Sequence, residues 1–245
     1  MKPAMQSLSS APLILRAGPL VARVRPWAFE PNVAHLVLYN QTRLPTPTDI
    51  IGWIDELRAA GFDTIRTGAL GAQAGSRFER LGFEGVQSLI LLEHTNISAA
   101  AEGARSQPGL VRLSTDADAD ASRVDVAAFG PGWCIDRIGI ADVRSATPRH
   151  RARAVRIDDR LAAYSISGRD GRNGYIQRLA VSPEHQHQGH GESLVSDSLR
   201  WMARWRVQRA LVNTHIGNEA ALALYHRVGF VDLGDRLHVY ERRIE

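Results

Sequence analysis

Gln186-His187-Gln188-Gly189-His190-Gly191 separates an apolar run, Leu179-Ala180-Val181, from a helix-periodic stretch, Glu192–Trp205. The stretch places Leu194, Val195, Leu199, Met202 and Trp205 on one face. Glycines at 189 and 191 let the backbone turn tightly and approach a ligand without Cβ interference. The turn runs into a helix start, where several N–H groups lack intrahelical acceptors and the helix dipole favours negative charge. Such a strand–turn–helix is suited to phosphate oxygens, although a glycine pair alone also fits an ordinary tight turn.

Working outward, Leu110–Leu113 reads as a strand, and Thr115-Asp116 caps a helix running to Phe129. Gly130-Pro131-Gly132 breaks it, and Trp133–Arg144 reads as a second helix. Arg151–Ile157 and Leu161–Ser167 form a hairpin turning at Asp158-Asp159-Arg160, and Tyr175–Val181 is a long strand. After the loop and its helix come a strand at Ala210–Val212, a helix at Asn218–Arg227 and a strand at Leu237–Arg242. The order βααβββαβαβ defines an α/β domain.

Two further signatures accompany the loop: Asn218-Glu219-Ala220-Ala221-Leu222-Ala223-Leu224-Tyr225 opens the later helix, and Val228-Gly229-Phe230 closes it. Together with Gln-x-x-Gly-x-Gly, they resemble the GNAT superfamily of acyl-CoA-dependent N-acetyltransferases over residues of about 109–245. The resemblance implies a mixed central sheet flanked by helices (α/β, or α+β by layer) and acetyl-CoA as acyl donor. It further implies that the strand end Leu179-Ala180-Val181 pairs with the pantetheine arm through backbone groups of Leu179 and Val181. Gln186 would open the phosphate loop, the amides of His187, Gln188, Gly189, His190 and Gly191, with Glu192 beside them, would hold the pyrophosphate, and Asn218 would lie near the pantetheine. Tyr225 would protonate the leaving thiolate, a role within reach of a phenol at hydrogen-bond distance. Strand N–H groups near Leu179 would polarise the thioester carbonyl. The implied reaction is direct attack by an amine of a small molecule or protein in a ternary complex. The acceptor, the acyl chain and a homodimeric state stay open.

The chain departs from that pattern where some members carry a glutamate base early in the third strand. Tyr175 stands there, after Asn173-Gly174. A water chain, Asp136 or Asp142 is left as base, or else the chain binds acyl-CoA without turnover, as a non-catalytic or protein-interaction module. Other readings also compete: Tyr225 as a packed aromatic, Asn218 as a plain helix cap, Cys134 as a small core residue. His185, His187 and His190 lie close together, but no carboxylate or thiol supports them, so no metal site is expected.

Residues 1–94 carry a weak repeat of the second half, with Gly82-Phe83 laid on Gly229-Phe230. Asp49–Ala60 then matches the helix after the glycine loop, Thr64–Ala69 the next strand, Gly75–Gly82 the last helix and Val86–Leu92 the last strand. Phe78 falls on Tyr225 and Gly71 on Asn218, while Asn40-Gln41-Thr42-Arg43-Leu44 has no glycine pair. The segment therefore reads as a smaller, degenerate GNAT-like unit without the chemistry, or as an unrelated α/β unit. A small polar linker, 95–108, partly helical through Ala99–Ala104, precedes the 109–245 domain.

Composition narrows the classes. The 245 residues are 44% hydrophobic and 23% charged, which excludes global disorder. No apolar run is long enough to span a membrane, and MKPAMQSLSS lacks the apolar core of a secretory signal. Cys134 is the one cysteine, so no intrachain disulfide forms, which fits a cytoplasmic location. Lys2 is the single lysine among 30 basic residues, and the net charge is only +4. That arginine bias suits a solvated strand face at Arg149, Arg151, Arg153 and Arg156, and no nucleic-acid partner is expected.

Overall fold

The computed structural model describes residues 11–40, 43–103 and 109–244, so MKPAMQSLSS, Gln41-Thr42 and the end of the 95–108 segment lie outside it. The elements in chain order are β1 (Leu13–Ala17), β2 (Leu20–Trp27), β3 (Glu30–Asn40), α1 (Pro47–Ala59), β4 (Thr64–Thr67), β5 (Leu70–Gly71), α2 (Ala72–Glu79), β6 (Glu84–His94) and α3 (Ile97–Gly103). They continue with β7 (Leu110–Arg112), α4 (Asp118–Phe129), α5 (Arg137–Ser145), β8 (Arg149–Ile157), β9 (Arg160–Asp170), β10 (Asn173–Val181), α6 (His190–Arg204), β11 (Arg209–His215), α7 (Glu219–Arg227) and β12 (Val231–Arg243).

Two compact units result, one made of the chain up to Leu89 together with Asp235 onward, the other of Ile90–Gly234. This division differs from a boundary at 95–108. The second part of β6 counts with the second unit, and β12 beyond Asp235 counts with the first. Hydrogen bonding explains the exchange: β12 pairs antiparallel with β4, Glu241 opposite Arg66. Within 95–108, α3 is no free linker, because Ile97 is buried in the second unit's core.

In the first unit β1, β2 and β3 form an antiparallel meander, and β3 runs parallel to β4. Leu20, Ala22 and Val24 alternate with Val21, Arg23 and Arg25, and the apolar set packs with Leu36, Trp53, Leu57 and Phe78. The meander lies ahead of Asp49, where the spacing first predicts an element. Helix α1 starts at a capping box: Thr46 accepts from the Asp49 N–H at 3.2 Å while Asp49 accepts from the Thr46 N–H at 2.8 Å. Arg43 sits 2.7 Å from the same carboxylate and, as the largest influence, lowers its pKa to about 2.

The second unit is a mixed sheet with helices on both faces. β7, β8, β9 and β10 are antiparallel neighbours, β11 is parallel to β10, and β6 lies beside β11. Ala152, Ala154, Tyr164, Ile166 and Ala180 point to α4 and α5. The opposite face supplies Ile176 and Val212, packed with Val195, Leu199 and Tyr225 of α6 and α7. The βααβββαβαβ order matches, with α5 starting only at Arg137 because Asp136 caps it through Gly139 N–H at 2.8 Å. Asp158 and Asp159 both take positive φ, as a tight hairpin turn demands. The arginine run is solvated only in part: Arg149 and Arg156 are exposed, whereas Arg151 forks onto Asp197 of α6 at 2.6 and 2.9 Å, with Arg153 at 3.5 Å from the same carboxylate.

Replacing Thr46 with alanine removes the side-chain half of the α1 capping box and should lower stability by about 1 kcal/mol in urea denaturation.

Candidate functional site

β10 and β11 share a ladder only over Asn173, Gly174 and Tyr175, opposite Arg209, Ala210 and Leu211. Beyond Tyr175 the strands part, although β10 continues to Val181 and β11 to His215. On its other side β10 stays paired to β9 through Val181, with a register shift between Ile176 and Arg178. Leu179-Ala180-Val181 therefore has one bonded edge and one edge without a ladder, where an extended ligand can add as a strand.

A buried charge cluster fixes that bend. Asp125 on α4 is fully buried and receives Arg178 Nε at 2.8 Å and Nη2 at 2.6 Å. It also accepts the Tyr164 hydroxyl at 2.5 Å and the Ile135 N–H at 2.7 Å. Arg178 Nη2 donates to the Trp133 carbonyl at 2.9 Å, and the guanidinium lies 3.8 Å from the Phe129 ring centroid. Burial is the largest single influence and works against the Arg178 charge, yet the hydrogen bonds and charge of Asp125, together with Tyr164, outweigh it and hold the pKa above the ordinary value. No sequence signal singled out Asp125, Tyr164 or Arg178, because their pairing joins positions far apart in the chain.

The loop is open to solvent from Gln186 to Gly189. Gly189 caps α6 in the left-handed region, φ 82°, and His187 also takes positive φ, 60°. The first bond across the start of α6 runs from Ser193 N–H to the Gly189 carbonyl at 3.0 Å. The N–H groups of His190, Gly191 and Glu192 thus have no intrahelical acceptor. At Gly191 a Cβ would stand 3.1 Å from Leu224 and 3.9 Å from Val181, so its lack of a side chain lets β10, α6 and α7 converge. The Gln186 amide donates to the Val181 carbonyl at 3.2 Å, and that of Gln188 to the Glu184 carbonyl at 3.3 Å. His190 Nε2 is buried without a partner among the described residues, and burial, then His185, lowers its pKa. Glu192 faces Arg227 at 3.1 Å, which offsets its charge beside the loop.

Asn218 caps α7, its side chain accepting from Ala221 N–H at 3.1 Å. One turn before the end of α7, Tyr225 is buried, and its hydroxyl has no hydrogen-bond partner among the described residues. Burial raises the phenol pKa far above 10, and the nearby Arg178 charge partly counters that. Leu179, Tyr225 and the loop glycines are thus gathered at one end of β10. Of the candidate bases, Asp136 is engaged in capping α5 and Asp142 lies within that helix, while Tyr175, which stands where a glutamate base would, is at the last paired position of β10. Cys134 is buried, and burial first, then Asp125, raises its pKa, opposite to what a nucleophile needs. Among the described residues no group of three or more His, Cys, Asp or Glu could hold a metal, and no helix is long and apolar enough to cross a membrane.

Asp125→Ala strands a largely buried guanidinium and should cost about 3 kcal/mol in chemical denaturation. Asp125→Asn, which keeps an acceptor for Tyr164, should cost less.

A model of the acetyltransferase (GNAT) family matches residues 131–230. N-alpha-acetyltransferase 30 of Schizosaccharomyces pombe is 39% identical over 57 residues, 23% of this chain and 38% of that protein. The match thus spans well under half of that relative. A tandem GNAT protein from the clavulanic acid biosynthesis pathway superposes with a TM-score of 0.64 at 14% identity, covering 94% of this chain and 81% of that one. A GNAT-family protein of Novosphingobium aromaticivorans gives 0.62 at 18% identity, covering 94% and 91%. At these identities the two likenesses are of fold. The matched residues 131–230, which contain the parted strand, the glycine loop and the Tyr225 helix, are thus similar to the acetyltransferase (GNAT) family.

Proposed function

We propose that this protein transfers an acetyl group from acetyl-CoA to a primary amine. The observation that carries this reading is the convergence of three features: free amides at the start of α6, the unpaired edge of β10, and the hydroxyl of the buried Tyr225. The donor set suits CoA. Amides of His187, Gln188, Gly189, His190 and Gly191 would hold the pyrophosphate, with Gln186 fixing the loop to β10. The edge of Leu179-Ala180-Val181 would take the pantetheine arm, with Asn218 beside it. The acyl donor supplies an activated thioester.

The amine attacks the thioester carbonyl directly, forming the amide bond as the carbon–sulfur bond breaks. Tyr225 gives its proton to the departing thiolate. Its raised pKa keeps the phenol protonated at neutral pH, the state a general acid requires. Backbone N–H groups near Leu179 steady the carbonyl oxygen. With no carboxylate at Tyr175, the amine binds in its neutral form, and the proton its nitrogen loses as the amide forms leaves through water, which returns one to Tyr225. The relative named an N-alpha-acetyltransferase supports an α-amine of a peptide or protein as acceptor. We assign the chemistry to residues 109–245 and take the first half as non-catalytic, since Phe78 and Gly71 fall at the places of Tyr225 and Asn218. A reducing, cytoplasmic setting suits the free Cys134.

The missing carboxylate favours one other reading, an acyl-CoA-binding module without turnover. Tyr225→Phe should lower kcat about 10²-fold while CoA affinity stays within about two-fold. Gly189→Val, strained at positive φ, should weaken CoA binding at least about ten-fold in calorimetry. Tight CoA binding with no transfer to any peptide or small amine would decide for the binding module, and unchanged kcat in Tyr225→Phe would remove the proton-donor role.

A further inference from the structure

Helix α7 ends in a motif that the chain also builds at the end of α2. Gly229 takes φ 96°, and the Phe230 N–H returns to the Tyr225 carbonyl at 2.9 Å. Gly82 takes φ 78°, and the Phe83 N–H returns to the Phe78 carbonyl at 3.2 Å. In each case the bond closes the last turn of the helix. The aromatic rings meet edge to face in both, with centroids 5.6 Å apart for Tyr225–Phe230 and 5.1 Å for Phe78–Phe83.

Each motif receives one donor from an exchanged strand. His94, the last residue of β6, points Nε2 at the Val228 carbonyl at 3.1 Å and stands edge-on to Phe230 at 5.2 Å. It is buried, and a Cβ at Gly229 would come within 2.9 Å of its Nε2. A carbonyl can only accept, so Nε2 carries the hydrogen, leaving Nδ1 as a buried lone pair without a partner among the described residues. In the first unit Arg242 of β12 donates to the Leu81 carbonyl at 2.5 Å and lies 6.0 Å from the Phe83 ring. The device is shared, but only α7 carries a phenol at the position one turn earlier.

We propose that His94 is a positioning residue for Tyr225, holding the end of α7 and the Phe230 ring so that the phenol keeps one placement beside the parted strands. A residue outside the matched family segment thereby enters the site. This rests on the reading of Tyr225 as proton donor.

The test uses the full chain with His94→Leu, His94→Gln, Arg242→Leu and Tyr225→Phe. Steady-state kinetics are measured along with the ring signals of ¹³C-labelled tyrosine, Tyr225 being assigned from its loss in Tyr225→Phe. His94→Leu should lower kcat about 10- to 100-fold, the scale expected for a small misplacement, with KM for acetyl-CoA within about two-fold. It should also displace the Tyr225 signal. His94→Gln, which can again donate to the Val228 carbonyl, should recover most of both. Arg242→Leu should leave kcat and the Tyr225 signal unchanged. Should His94→Leu not fold, His94→Asn, too short to reach that carbonyl, takes its place. Native kcat and an unmoved signal in the leucine variant overturn the inference, as does an equal kcat loss in Arg242→Leu. A native chain that transfers nothing overturns the acetyl-transfer reading instead, and the Tyr225 signal then decides the role of His94 alone.

Discussion

Arg178 follows a register shift in β10, and its side chain turns to the face where α4 lies. There the fully buried Asp125 meets it with two hydrogen bonds. Burying either charge alone costs several kcal/mol, and further hydrogen bonds on both partners offset that cost. Tyr164, the Ile135 N–H and the Trp133 carbonyl supply them. The cluster ties α4, the α4–α5 connection, β9 and β10 together just where β10 leaves β11. Without that anchor nothing obliges β10 to stop pairing after Tyr175, and the unpaired edge at Leu179–Val181 would have no fixed place relative to the loop.

The loop depends on backbone geometry more than on side chains. Gly189 accepts a left-handed φ, and Gly191 lets Leu224 and Val181 approach. The exposed N–H groups follow from where α6 starts, which the Ser193–Gly189 bond sets. Tyr225 is the contrasting case, a polar group within an apolar cluster of Ile90, Leu92, Val212 and Phe230. Such surroundings raise the cost of ionising the phenol and keep its proton available.

The two halves of the chain keep the same helix end, glycine, phenylalanine and returning amide included, while differing in charge and in chemistry. Packing a helix end needs only an aromatic ring and a left-handed residue, and Phe78 provides that as well as Tyr225 does. A proton donor is a further demand that packing does not impose. A helix end of this form can therefore recur in the chain without the phenol.

By itself the sequence determined what is local. Period-2 and helical spacing, the breaks at glycine and proline and the spacing of the loop and Tyr225 motifs were enough for the βααβββαβαβ order, the mixed α/β class and the family resemblance. Short-range sterics and hydrogen bonding govern those features, and they leave marks a few residues apart. At Leu20–Val24 the apolar Val21 blurs the alternation, and the strand is fixed by its pairing with Leu13–Ala17 and with Glu30–Asn40. Tertiary structure alone decided the rest. It joined Asp125 to Arg178, set Arg151 and Arg153 of β8 against Asp197, exchanged the ends of β6 and β12, and brought His94 to the end of α7. Each of these is a match of charge or hydrogen-bonding groups between residues tens of positions apart, and only the folded chain makes such residues neighbours.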